Sequence, residues 1–119
     1  MKSVGVDIIE TRRIQRSIAR FGDRFLRRVF TPQELAYCQG RVPSLAARWA
    51  AKEAVAKALG TGIGDVSWHE IEVVSNLRQQ PSVKLHGTAA NLAKQLQITS
   101  LQISLSHTKA YAVAFVVAA

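Results

Sequence analysis

The sequence predicts an α+β fold, a small and mostly antiparallel sheet packed on one long helix. Three observations point there. The segment Leu45 to Leu59 carries alanine at 46, 47, 50, 51, 54, 56 and 58, and alanine is the best helix former. Leu101, Ile103 and Leu105 alternate with Gln102, Ser104 and Ser106, the pattern of a half-buried strand. A β-rich run, Ala110 to Val117, follows after only His107-Thr108-Lys109, a gap that suits an antiparallel hairpin.

The other elements follow in order. Ser3 to Ile9 is apolar with β-branched residues and is predicted as the first strand. From Thr11 the period turns helical: Ile14, Ile18, Phe21 and Phe25 recur with arginines on the intervening faces, and Gly22-Asp23 interrupts the run. Thr31-Pro32-Gln33-Glu34 is a helix start, with a threonine cap, proline at the first position and glutamate at the third. That helix ends near Gly40. Pro43-Ser44 opens the long helix, and Gly60-Thr61-Gly62-Ile63-Gly64 stops it and begins a loop. Trp68 to Ser75 and Ser82 to His86 are predicted as strands, with Pro81 at an edge. Thr88 to Leu96 is predicted as a helix.

The 119 residues suit one domain, 1–119, and show no repeat or linker. A domain this small leaves little room for a deep cleft, so an active site shared between subunits is expected. Cys38 is the only cysteine, which excludes an internal disulfide and a thiolate zinc site. No run is long and apolar enough for a signal core or a bilayer span. The expectation is a soluble cytoplasmic protein without a membrane partner. The net charge is +8, and seven arginines (12, 13, 16, 20, 24, 27 and 28) face Asp23 alone between positions 12 and 28. Such an excess seeks an anionic surface. Nucleic acid is disfavoured as that surface: there is no helix-turn-helix, no zinc-finger spacing and no interleaving of aromatic with basic residues on the β runs.

Four charged residues, Arg48, Lys52, Glu53 and Lys57, sit on the alanine-rich helix. Glu53 and Lys57 share a face, where a carboxylate beside an ammonium could hold a metal and a phosphate, or form only a surface pair. A helix apolar almost all round is largely buried, and buried charges need partners or a function. Asp7 ends an apolar strand, as metal-binding carboxylates often do, but Asp7-Ile8-Ile9-Glu10 also has capping-box spacing. The glycines at 60, 62 and 64 would let backbone N–H groups approach a phosphate, or merely end the helix. His107 lies at the expected hairpin turn among Ser106, Thr108 and Lys109, a polar and cationic tip. His69 and His86 are read as structural or solvated.

Three blocks in this order resemble the holo-acyl-carrier-protein synthase family, the small phosphopantetheinyl transferases. They are Gly5-Val6-Asp7-Ile8-Ile9-Glu10; Arg48-Trp49-Ala50-Ala51-Lys52-Glu53-Ala54 with Lys57 and Gly60-Thr61-Gly62; and Ser104-Leu105-Ser106-His107-Thr108. The match runs along nearly the whole chain, and the middle block is the most specific. The resemblance implies a magnesium-dependent transfer of 4′-phosphopantetheine from coenzyme A to a serine of an acidic acyl carrier protein, in fatty acid biosynthesis. It implies that Asp7 and Glu53 bind magnesium, that Glu53 and Lys57 are catalytic, and that Lys57 lies near the transferred phosphate. Arg48, Gly60, Thr61, Gly62, His107 and Thr108 would line the coenzyme A site. Arg12, Arg13, Arg16, Arg20 and Arg24 would dock the carrier. A homotrimer with sites at subunit boundaries is the implied assembly. Three departures stand out: Trp49 replaces the usual phenylalanine, segment 39–44 offers only Arg41 as a cation, and Gln79-Gln80-Pro81 stands where glycine-lysine-proline is common.

Overall fold

The computed structural model describes residues 1–119. Strand β1 (Ser3–Glu10) leads into helices α1 (Thr11–Phe21), α2 (Asp23–Val29), α3 (Pro32–Cys38) and the long α4 (Val42–Ala58). A 3-10 turn (Trp68–Glu70), the hairpin β2 (Ile71–Ser75) and β3 (Pro81–Leu85), helix α5 (Gly87–Gln95) and the hairpin β4 (Leu101–His107) and β5 (Tyr111–Ala118) complete the chain. The strands form two sheets: a three-stranded one in the order β1-β5-β4 and the two-stranded β2-β3, all paired antiparallel.

The inner face of the larger sheet lies on α4 because both surfaces are small. Gly5, Ala112, Ala114, Val116 and Ala118 meet the alanines of α4, and all are buried. A Cβ at Gly5 would collide with the Ala54 carbonyl, so β1 runs against the helix backbone there. The Ser3 hydroxyl donates to the Ala58 carbonyl at 2.5 Å and pins the far end of the same contact. This places Asp7, opposite Ala114 in the register, beside the last turns of α4.

The outer face of the sheet is apolar and open: Val4, Val6 and Ile8 are 48%, 54% and 64% exposed, and Phe115 is 46% exposed.

Several expectations change in detail. Asp7 caps nothing: β1 continues through it, and Glu10 occupies the N-cap of α1 without a side-chain bond. Trp68, His69 and Glu70 form a 3-10 turn instead of strand, because Ser67 and Glu70 make a capping box there. The long helix begins at Val42, with proline inside its first turn. His107 is the last residue of β4, one position before the turn. The interruption at Gly22 stands, with φ of 58°, and the Thr31–Glu34 capping box is present as expected.

Candidate functional site

Trp49, Glu53 and Lys57 recur every four residues along one stripe of α4, and Asp7 of β1 meets that stripe. The Lys57 ammonium donates to Asp7 Oδ1 at 3.0 Å and to the Val6 carbonyl at 2.9 Å. Asp7 Oδ2 is buried with no hydrogen-bond partner. Glu53 is half-buried. Burial and the nearby Asp7 charge push its pKa above the ordinary carboxylate value, against the opposing pull of Lys57 and Arg13. Two acids 46 positions apart in sequence, read as 7 and 53, thus sit within electrostatic reach of each other.

That arrangement fits a divalent cation. It holds two carboxylates in mutual repulsion, one with an orphaned oxygen. No cluster of three acidic, histidine or cysteine ligands forms, so an ion here would draw its remaining ligands from water or a bound phosphate. Magnesium commonly binds in that way, through one or two carboxylates plus phosphates and waters.

A second group lies apart from the first. Arg48, 3% exposed, reaches a cavity of about 320 Å³ whose lining includes Tyr37, Ser75, Pro81, Ser104 and His107. Its guanidinium donates to Ser75 Oγ at 2.8 Å and lies 4.0 Å from the Tyr37 ring centre. Its Nε is buried without a partner. A buried cation lining a polar cavity suits an anionic ligand. Asp7, Glu53 and Lys57 do not line this cavity. Arg48 and Glu53 are five residues apart on α4, about 140° around the helix, so one helix turns the two groups to different sides.

The glycine segment continues from the Asp7–Glu53–Lys57 end of α4. Gly60 N–H donates to the Lys57 carbonyl and Thr61 N–H to the Ala56 carbonyl, both bonds of a Schellman ending, with Gly60 at φ of 74°. The Thr61 hydroxyl donates to Asp65. In the β4–β5 turn, Thr108 Oγ1 accepts the N–H groups of Ala110 and Tyr111 at 3.2 and 3.1 Å. Both segments are therefore held by their own bonds, and Gly62 has open space around it.

Arg12, Arg13, Arg16 and Arg20 on α1 and Arg24 on α2 are all exposed, while Ile14 is buried on the opposite side. Arg13 lies 5.7 Å from the Trp49 ring centre and Arg20 lies 5.2 Å from that of Phe21. The arginine surface therefore begins at the edge of the Glu53 stripe.

Tyr37 and Ser75 carried no motif in the sequence and join Arg48 only through folding. Lys52, grouped with the chemistry-bearing residues of α4, instead points into the core with 0% of its side chain exposed. His69 Nε2 contacts the Arg27 carbonyl, and His86 Nε2 contacts Glu72, in keeping with structural roles.

Residues 3–116 match the model of a family described as the 4′-phosphopantetheinyl transferase superfamily. A holo-[acyl-carrier-protein] synthase of Dehalococcoides mccartyi is 52% identical over 118 residues, covering 99% of this chain and 98% of its own. One of Koribacter versatilis is 50% identical over 117 residues, covering 95% and 94%. The crystal structure of the Helicobacter pylori holo-[acyl-carrier-protein] synthase in complex with coenzyme A superposes with a TM-score of 0.89. It is 33% identical and covers 98% of this chain and 99% of its own.

Proposed function

Because the chain belongs to the 4′-phosphopantetheinyl transferase superfamily, we propose that it transfers the 4′-phosphopantetheine group of coenzyme A to a serine of apo acyl carrier protein. The products are holo carrier and adenosine 3′,5′-bisphosphate. The reading rests on the full-length relatives and on one observation of this chain, the meeting of Asp7, Glu53 and Lys57 around an orphaned carboxylate oxygen. Residues 1–119 would act as a single domain in the cytoplasm, in fatty acid biosynthesis.

Asp7 and Glu53 would hold magnesium, which when bound offsets the charge of the pyrophosphate. Glu53 accepts the proton of the carrier serine as its oxygen attacks the β-phosphorus. The bond from that phosphorus to the bridging oxygen breaks, and the bisphosphate leaves with the electron pair. Lys57 stabilises the charge that grows on the phosphates. Positioning and electrostatic stabilisation carry most of such a reaction. Arg48 and His107, with Thr108 at the adjoining turn, bind the nucleotide portion, and Gly60, Thr61 and Gly62 flank the pyrophosphate. Arg12, Arg13, Arg16, Arg20 and Arg24 dock the acidic carrier, where charge complementarity sets specificity and encounter rate.

The separation of the two groups favours a composite site. If His107 of one subunit completes the Asp7–Glu53 group of the next, the outer sheet face carrying Val6, Ile8 and Phe115 is the surface that joins them, and a homotrimer closes the ring. Exposed contiguous apolar faces of this kind mark association sites.

The test is incubation with coenzyme A, magnesium and apo carrier, followed by mass spectrometry for a phosphopantetheine adduct on serine. No adduct would reject the function. Mixing the inactive variants Glu53→Gln and His107→Ala tests the composite site. Mixed assemblies should regain up to about a quarter of wild-type turnover through random pairing of intact halves. A site within one chain would regain none.

A further inference from the structure

Lys52 and Glu34 form an ion pair that the reaction does not use, with 0% of either side chain exposed and 2.8 Å between Nζ and Oε1. The Lys52 ammonium also donates to the carbonyls of Trp68 at 2.9 Å and Ile71 at 2.7 Å. All three of its protons are thereby placed. Glu34 is equally saturated: Oε1 accepts the Thr31 N–H and Oε2 the Val73 N–H, each at 2.8 Å. Burial pushes the Lys52 pKa down, and Glu34 pulls it back up. One lysine of α4 therefore ties that helix to α3, to the 3-10 turn and to β2.

The position of this knot is what gives it a role. Lys52 immediately precedes Glu53. The carbonyl it holds on Trp68 belongs to the residue whose ring packs on Trp49 at 5.4 Å between centres. Trp49 lies one turn before Glu53 on the same stripe, with the Arg13 guanidinium 5.7 Å from its ring centre. The faces of α4 are mostly alanine, and each short side chain makes few of the contacts that resist rotation about the helix axis. Directional bonds supply what the alanine faces lack.

We propose that Lys52, clamped by Glu34, is a positioning residue: it sets the rotation of α4 and so aims Glu53 and Lys57 at Asp7. The inference rests on the phosphopantetheinyl transfer described above. A buried ion pair is replaceable by apolar groups of similar shape without loss of stability, whereas removing one partner leaves an unpaired buried charge. That asymmetry separates stability from aim.

The experiment compares Lys52→Met, Glu34→Gln and the double variant with wild type and with Phe30→Leu, a core substitution outside α4. Melting temperature, tryptophan emission, kcat and the KM values for coenzyme A and carrier are measured at saturating magnesium. Lys52→Met should melt lowest, and the double variant should recover only the part of that loss due to the unpaired Glu34 charge, since the Trp68 and Ile71 carbonyls still lack their donor. The kcat of the double variant should stay at least tenfold below wild type, with carrier KM within twofold and the emission of the Trp49–Trp68 pair shifted. Phe30→Leu should lose stability while keeping kcat below its melting temperature. Should Lys52→Met fail to fold, the double variant and Glu34→Gln carry the comparison. A double variant with both stability and kcat within twofold of wild type overturns the positioning role and leaves the transfer activity standing. A wild-type protein that forms no adduct overturns both.

Discussion

Gly5 and Ala54 touch backbone to backbone, with no room for even a methyl group between strand and helix. Two residues further along β1, Asp7 receives the Lys57 ammonium from the same helix. The close approach at Gly5 is what brings those groups into range. Gly5→Ala should force β1 and α4 apart and cost about 1–3 kcal/mol of stability, as overpacking does. Turnover should fall more than the loss of folded protein explains, since Asp7 moves away from Glu53. Denaturant unfolding beside kcat on the folded fraction checks this.

The raised Glu53 pKa carries a stability sign. An acid with a higher pKa in the folded state than in the unfolded chain binds its proton more tightly when folded. Its ionisation therefore penalises the fold, absent below the unfolded value and complete above the folded one. Glu53→Gln should raise the melting temperature of the metal-free protein at neutral pH while abolishing transfer. Magnesium should raise the melting temperature of wild type and leave that of the variant unchanged, because ligand binding stabilises only the state that binds. Calorimetry with and without magnesium reads both effects.

Arg16 and Arg20 lie on the exposed face of α1, and neither has a charged partner within the chain. Reversing Arg16 and Arg20 to glutamate should raise the KM for carrier at least tenfold and flatten its salt dependence. The KM for coenzyme A should stay within twofold. Equal shifts in both values would show that the face is no dedicated docking surface.

Burial raises the Glu72 pKa, but the Thr31 hydroxyl, His86 and Lys52 outweigh it, and the net shift is downward from 4.5. A depressed carboxyl contributes stability that is present above its unfolded pKa and lost as pH falls through the folded one. Melting temperature should therefore drop on acidification from about pH 5 more steeply in wild type than in Glu72→Gln.

How much of this could be read from the chain depends on whether the signal was local. The Thr31–Glu34 capping box, the Gly22 break and the alternation of Leu101, Ile103 and Leu105 are written within a few residues, and they folded as read. Trp68–Glu70 was missed as a turn because a 3-10 capping box competed with a β-rich run. The Asp7–Glu53 pairing was expected from resemblance alone, and spacing could not have supplied it. Long-range partners such as Tyr37 and Ser75 around Arg48, or Glu34 beneath Lys52, left no periodic trace, since each depends on how separate elements pack.

In the trimer proposed above, the open face formed by Val4, Val6, Ile8 and Phe115 would tie output to abundance. A newly made copy would hold water against those side chains until it met others like itself, with mass action governing that meeting. Serial dilution should therefore lower the work done per molecule well before any chain unfolds. A cell carrying too few copies would lose conversion out of proportion to the shortfall.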